Sequence, residues 1–286
     1  MQFEKIPVVS ASDEHYAPFL CVMITSLLEN TSPNEAIDFY ILDDKISRTS
    51  KNYLKQTVKI HSNQASISFL PVDNSLYADF LVSDHITTTA YFRISLPKLL
   101  KDYEYTKVLY IDADTLILDD VRKLYDCPLQ DKVIGAVIDP GQTKALARLG
   151  IESQDYYFNS GVLLVDLKKW NEKRITEKTL AFLTEHGDKI IYHDQDALNA
   201  VLYEQWAPLH PRWNMQTSLV FERHPAPNEH YQMLYKEGND DPAIIHFTGH
   251  DKPWNTLVDH PYQQLYMEKL GASIFKNTKK EVVSNE

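Results

Sequence analysis

Glycine is scarce in this chain, with eight among 286 residues, well under the ~7% of an average protein. Neither G-x-G-x-x-G nor G-x-x-x-x-G-K-[ST] occurs, so no glycine-rich phosphate loop cradles any nucleotide bound here. Cysteine is scarcer still. Cys21 and Cys127 stand far apart and are too few for a disulfide framework. Cys21, inside "FLCVMITSLL", reads as a small buried apolar side chain. Positive charge is also short: the formal net charge is −11. No basic surplus exists to hold a phosphate backbone, which argues against nucleic acid as the main partner. A small anionic ligand is compatible with this balance where a few local cations receive it. No apolar run approaches the ~20 residues of a membrane helix, so no membrane contact is indicated. The opening "MQFEKIPVVS" lacks the basic and apolar regions of a signal peptide. The expectation is a soluble, cytoplasmic protein.

What is present is ample apolar material, 43% of residues, arranged in short runs. Residues 5–12, 36–44, 65–73 and 107–118 read as strands. Residues 15–31, 47–62 and 88–100 read as the helices between them, with Asp13 as a cap near the first. This alternation predicts parallel βαβ units and an α/β domain. Further strands are predicted at 132–139 and 160–167, helices at 174–187 and 195–205, and a late strand from 243 running into a loop. Residues 262–271 form a short helix in this reading, followed by a polar tail.

Four short motifs carry candidate chemistry. "YIDADTLIL" (110–118) places Asp112 and Asp114 in an apolar strand, where residues i and i+2 face one side. Two carboxylates that close repel unless a cation neutralises them, and hard oxygen ligands suit Mg²⁺ or Mn²⁺. The apolar lead "VLYI" ends at the carboxyl edge of the sheet, where open α/β sheets bind ligands. "HFTGHDKPW" (246–254) offers an imidazole, a glycine permitting close backbone approach and Lys252, a point charge suited to phosphate. "YHDQDALN" (192–199) sets Asp194, Gln195 and Asp196 at a helix start, and "FNSGVLLVDL" (158–167) sets Asn159 and Ser160 before a buried strand. Each has a plainer reading on its own: solvated aspartates in a turn, a structural histidine, helix capping, an ordinary turn.

Together, and in this order, the four motifs resemble glycosyltransferase family 8, especially its bacterial retaining galactosyl- and glucosyltransferases. The opening "SDEHYAPFLCVMITSLL" fits as well, and the resemblance runs from about residue 6 to 255. It implies a GT-A fold: a single α/β domain, a Rossmann-like, mostly parallel sheet flanked by helices. On that reading residues 1–255 are the catalytic domain and 256–286 a carboxyl-terminal helix and polar tail. The implied metal ligands for Mn²⁺ (or Mg²⁺) are Asp112, Asp114 and His246, with Ala113 beside the nucleotide. Ala11 and Asp13 would hydrogen-bond uracil and Tyr16 would stack on it. His15 stands where many relatives have asparagine, at a ribose or phosphate contact. Arg93 would hold the donor sugar or diphosphate, Asn159 and Asp194 the sugar hydroxyls, and Gly249 and Lys252 the departing diphosphate. Gln195 would lie on the reacting face, with Asp194 as a substitute nucleophile. His85, Tyr192 and Thr248 fall where relatives touch the acceptor. The implied activity is metal-dependent transfer of galactose or glucose from a UDP-sugar to a saccharide acceptor on a glycan, glycolipid or glycoprotein. The alternatives are a nucleotidyltransferase, which usually carries an amino-terminal glycine-rich loop that this chain lacks, and a sugar-nucleotide-binding module without turnover, which would not need Asp112, Asp114, His246 and Lys252 intact. Galactose and glucose differ at O4, and no residue pattern here separates them.

Overall fold

The apolar runs become strands buried on both faces. IPVVSASD at residues 6–13 alternates poorly, as a central parallel strand does when helices cover both sides of its sheet. The structure, a computed structural model, describes residues 5–77, 80, 88–142, 145–257 and 259–277. Its strands are β1 (Ile6–Asp13), β2 (Ile37–Asp44), β3 (Ser66–Pro71), β4 (Lys107–Ile111), β5 (Thr115–Ile117), β6 (Ile134–Ile138), β7 (Phe158–Asp166), β8 (Trp206–Pro208), β9 (Met215–Gln216) and β10 (Ile244–His246). Seven of them form one sheet in the order β3-β2-β1-β4-β7-β6-β8, and β5, β10 and β9 form a second, three-stranded sheet. All neighbours in the large sheet pair parallel except β7, which runs antiparallel to both β4 and β6. The α/β class and mostly parallel sheet are those expected.

The order reverses direction at β1, with β2 on one side and β4 on the other. Such a switch point opens a crevice beyond the carboxyl ends of the strands. Here β1 and β4 pair only at Val8↔Leu109 and Val9↔Tyr110, so the last part of β1 and the residues after β4 separate. The helix Ala17–Asn30 leaves that crevice and packs against the helices Arg48–His61 and Gln263–Ala272. Tyr266 and Leu270 of the latter are buried in the same hydrophobic cluster as the strands. No helix among the described residues is long and apolar enough to cross a membrane.

Five local expectations are corrected. Residues 107–118 are not one strand. The chain breaks after Ile111, turns through Asp112–Asp114 and resumes as β5 in the other sheet, with Thr115 Oγ1 donating to Asp112 O at 2.9 Å. The apolar pattern is the same whether the strand is continuous or broken, so it could not reveal the break. Residues 88–95 form a 3₁₀ helix, with a single α-helical turn at Leu96–Leu99. The buried strand before "GVLLVD" starts at Phe158, which puts Asn159 and Ser160 inside it rather than in a turn. The helix predicted at 195–205 runs from His193 to Leu202, so Asp194 and Gln195 occupy its first turn. Asp13 is the last residue of β1 and not the cap of the first helix: that cap is Tyr16, whose backbone N–H Asp13 Oδ1 accepts at 2.8 Å.

Candidate active site

Parallel strands deliver aspartates to one edge of the sheet. Asp13 and Asp44 end β1 and β2, while Asp112 and Asp139 directly follow β4 and β6. Because β7 is antiparallel, its first residues, Phe158 to Gly161, reach the same edge. Between them lies a cleft of about 340 Å³, the size of a small-molecule site. A rim this acidic needs cations.

Arg93 supplies one. It is buried, with Nη2 3.0 Å from Asp112 Oδ1 and Nε 3.0 Å from Asp194 Oδ2, and Nη1 donates to Ser160 O at 2.6 Å. Burial works to discharge it, but the two carboxylates outweigh that and raise its pKa. Asp194 is pushed up to about 6, chiefly by burial, with Arg93 opposing and Asp112 adding to the rise. Lys252 supplies the second cation. Its Nζ lies 2.6 Å from Asp114 Oδ2 and donates to Phe247 O at 2.5 Å. Burial alone would raise the Asp114 pKa, but Lys252 and His246 hold it well below the usual carboxylate range.

His246 completes the group. Antiparallel pairing of β10 with β5 sets it opposite Thr115, one residue beyond Asp114. Its Nε2 lies 3.3 Å from Asp114 Oδ1 and 3.8 Å from Asp112 Oδ2, and one ligand atom from each of the three residues falls within a 4.8 Å cluster. Two carboxylates and an imidazole are a donor set for a divalent cation. The 3.3 and 3.8 Å separations exceed the ~2.9 Å edge of an octahedron with bonds of about 2.05 Å, so the three side chains would draw in around a bound cation. Gly161 of β7 makes room for them. A Cβ there would come 2.1 Å from His246 Cε1 and 2.7 Å from Asp112 Oδ2, and Gly161 O accepts Asp112 N–H at 2.8 Å.

The reacting-face candidate, Gln195, is held on both ends. Its Oε1 accepts from Asn159 Nδ2 at 3.1 Å and from the Ser160 N–H at 3.0 Å, and its Nε2 donates to Asp139 Oδ2 at 3.1 Å. Asp196 follows it in the helix but faces inward, accepting from Arg148, Tyr157 and the backbone N–H groups of Ile191 and Tyr192. Asp196 therefore folds the Tyr192 turn. No side chain caps the helix at Tyr192.

The cleft brings together Ala11, Asp13, Tyr16, Arg93, Asp112, Ala113, Asp114, Asn159, Tyr192, Asp194, Gln195, His246, Thr248, Gly249 and Lys252. Gly249 has φ +89°, a conformation most side chains resist. Trp254 stacks on Phe19 at 3.6 Å and meets Tyr16 edge-on, which ties the loop bearing Thr248 to Lys252 onto the wall built by β1. His15 is not brought in: it is exposed and lies edge-on to Tyr16 and Phe19. His85 lies outside the described residues. Asp139, in the cleft wall, and Asn214, behind it, are among the residues that escaped the sequence reading. Asp139 ends an apolar run just as Asp112 does, and that parallel was the available signal. Asn214 sits 2.9 Å from both Asn159 Oδ1 and His246 Nδ1, and nothing in "RWNMQ" marks it.

The description Glycosyl transferase family 8 matches residues 7–257. The chain belongs to glycosyl transferase family 8. It is similar to General stress protein A of Bacillus subtilis (strain 168), at 39% identity over 265 residues covering 92% of each chain. It is also similar to the lipopolysaccharide 1,2-glucosyltransferase of Escherichia coli (strain K12), at 29% identity over 96% of this chain and 80% of that one. Among solved structures it resembles the galactosyltransferase LgtC in complex with donor and acceptor sugar analogs, with a TM-score of 0.82 at 29% identity, covering 94% of this chain and 96% of that one. This family 8 member is a glycosyltransferase with a GT-A fold.

Proposed function

We propose that this glycosyltransferase moves galactose or glucose from a UDP-sugar to a hydroxyl of a saccharide acceptor on a glycan, glycolipid or glycoprotein, and that the new bond keeps the donor's anomeric configuration. The observation that carries the proposal is the convergence of Asp112, Asp114 and His246 beside Lys252 and Arg93 in one cleft. The similarity to a glucosyltransferase and to a galactosyltransferase bound to donor and acceptor analogs supports it. In this reading Ala11, Asp13 and Tyr16 receive the uracil, Asp194 and Asn159 the sugar hydroxyls, and Tyr192 and Thr248 the acceptor. Residues 1–255 form the catalytic domain, and the helix beyond buttresses it through Tyr266.

Asp112, Asp114 and His246 would hold Mn²⁺ or Mg²⁺, which when bound neutralises the diphosphate as a Lewis acid. The chain's own residues do the rest. Lys252 turns from Asp114 toward the departing phosphate, where negative charge grows in the transition state. Arg93 opposes the rise that burial imposes on the Asp194 pKa and so favours its ionised form. Among the described residues, Gln195 and Asp194 are the nucleophile candidates, and both are held by neighbours. Gln195 Oε1 already accepts two N–H bonds, and Oδ2 of Asp194 is taken by Arg93 and Ser160. Attack by the acceptor from the face of the leaving group, with the phosphate taking its proton, fits these restraints.

The test is UDP release across a panel of UDP-sugars with saccharide acceptors, with the product's anomeric coupling read by proton NMR. Turnover of UDP-galactose or UDP-glucose to an α-linked product is expected, and a β product would refute retention. Gln195→Ala should reduce kcat about 10²-fold, the loss of one polar contact in the transition state. A near-total loss, or a glycosyl adduct on wild-type Gln195 or Asp194 by mass spectrometry, would refute front-face attack.

A further inference from the structure

The polar groups behind His246 and Gln195 form one continuous chain whose donors and acceptors can be assigned without ambiguity. Its fixed points are backbone N–H groups, which can only donate. The Gly161 N–H points at Asn159 Oδ1 at 3.0 Å, so that atom of Asn159 is the carbonyl oxygen. Asn214 lies 2.9 Å from the same oxygen and must turn its NH₂ toward it. The other end of the Asn214 amide, 2.9 Å from His246 Nδ1, is then a carbonyl and can only accept. His246 Nδ1 must therefore carry a proton. The neutral imidazole keeps its lone pair on Nε2, the nitrogen that faces Asp114 and Asp112. On the other side, the Ser160 N–H fixes Gln195 Oε1 in the same way, and Gln195 Nε2 is left for Asp139, whose Oδ1 accepts the Gly141 N–H at 3.1 Å.

We propose that Asn214 is a positioning residue that selects the His246 tautomer with Nε2 free for a cation, and that through Asn159 it holds the Gln195 amide in register with that ligand. This rests on the metal reading given above. Asn214 is fully buried, at 0% exposure, and it precedes β9, whose parallel pairing with β10 puts Gln216 beside His246. The small sheet thus carries the ligand on one strand and its orienting partner at the start of the next. An imidazole ligand is generally oriented by an acceptor on its second nitrogen, and loss of such a partner weakens metal binding about 10- to 100-fold. Here that acceptor is a neutral amide with a second duty. Its NH₂ end reaches the group of residues around the reacting face, so a disturbance on either side reaches the other through Asn159.

Two variants separate the two duties. Asn214→Leu removes both bonds. Asn214→Asp keeps an acceptor for Nδ1–H but offers Asn159 Oδ1 no donor. In full-length protein labelled with ¹⁵N-histidine at pH 8.5, and assigned with His246→Gln, the wild-type His246 ring should show a protonated Nδ1 and a bare Nε2. Calorimetry with Mn²⁺ should give about 10- to 100-fold weaker binding for Asn214→Leu and binding at least as tight as wild type for Asn214→Asp, whose carboxylate still accepts from Nδ1. Asn214→Asp should nevertheless lose kcat with little change in donor KM, because its carboxylate offers Asn159 Oδ1 no donor and repels it, which disturbs the link to Gln195. A wild-type ring protonated on Nε2 would overturn the proposal even if neither variant folds. Equal Mn²⁺ affinity for wild type and Asn214→Leu, or equal weakening by Leu and Asp, would overturn it while leaving the metal reading intact. Wild type that fails to bind Mn²⁺ at all would overturn the metal reading as well.

Discussion

Asp114→Asn is expected to lower kcat/KM for the sugar donor by roughly three orders of magnitude. Metal-assisted stabilisation of a charged leaving group supplies several kcal/mol, and about 4 kcal/mol corresponds to a 10³-fold change in rate. Asparagine keeps the shape of the side chain but removes its charge. Asp114 has a double load, because its two oxygens face Lys252 at 2.6 Å and His246 at 3.3 Å. The substitution also strands Lys252, which is 8% exposed. Removing one partner of a buried ion pair costs about 3–5 kcal/mol, so the midpoint of thermal unfolding should fall by on the order of 10 °C. Asp112→Asn should lose comparable activity, and it leaves Arg93 with Asp194 as its remaining carboxylate partner. Steady-state kinetics with varied Mn²⁺, beside a thermal melt, checks both. Activity within tenfold of wild type for either variant would remove that aspartate from the ligand set.

Gly161→Ala is expected to be nearly as damaging from a single methyl group. Gly161 lies within β7, where the pairing with β6 shifts register, but its φ is not among the positive values of the described residues, so alanine meets no left-handed-backbone penalty. The obstacle is space. A Cβ at 2.1 Å from His246 Cε1 is deep inside van der Waals contact, and the 2.7 Å approach to Asp112 Oδ2 adds to it. Either the imidazole or the strand must move, and displacement of a positioned group by about 1 Å costs about 10²-fold in rate. We expect Mn²⁺ affinity and kcat/KM to fall together, each by at least about 10²-fold, with a modest loss of thermal stability from overpacking of about 1–3 kcal/mol. Unchanged Mn²⁺ affinity in a folded Gly161→Ala protein would show that the metal, if bound, does not use His246 and Asp112 as placed.

The strands and first helices were legible because their burial pattern is local. "IPVVSAS" and "IDFYILDD" are apolar on both faces, and each is followed by a helix long enough to cross over. The direction of β7 was not legible. A 3₁₀ turn, Pro140–Gln142, and a short helix, Ala145–Arg148, are described between β6 and β7, a connection long enough for either direction, and the intervening "TKALARLGIESQDYY" carries no period that decides it. Within the cleft, residues that bear charge in an apolar run stood out, and Asp112, Asp114, His246 and Lys252 do meet. Residues that work through neighbours did not stand out. Asn214 looks like any polar residue near a strand end, and Gly161 looks like a permissive glycine until the side chains packed against its Cα are known. Their significance lies in contacts 32 to 85 residues away in sequence, which no local pattern encodes.

The central claim is that Asp112, Asp114 and His246 hold the cation that receives the diphosphate of the donor. Isothermal titration of the wild-type chain with UDP, once with Mn²⁺ and once with excess chelator, tests it most directly. Binding should be at least about 10²-fold tighter with Mn²⁺, a difference of about 2.7 kcal/mol, and Asp114→Asn should lose that difference. Equal UDP affinity with Mn²⁺ and with chelator would contradict it.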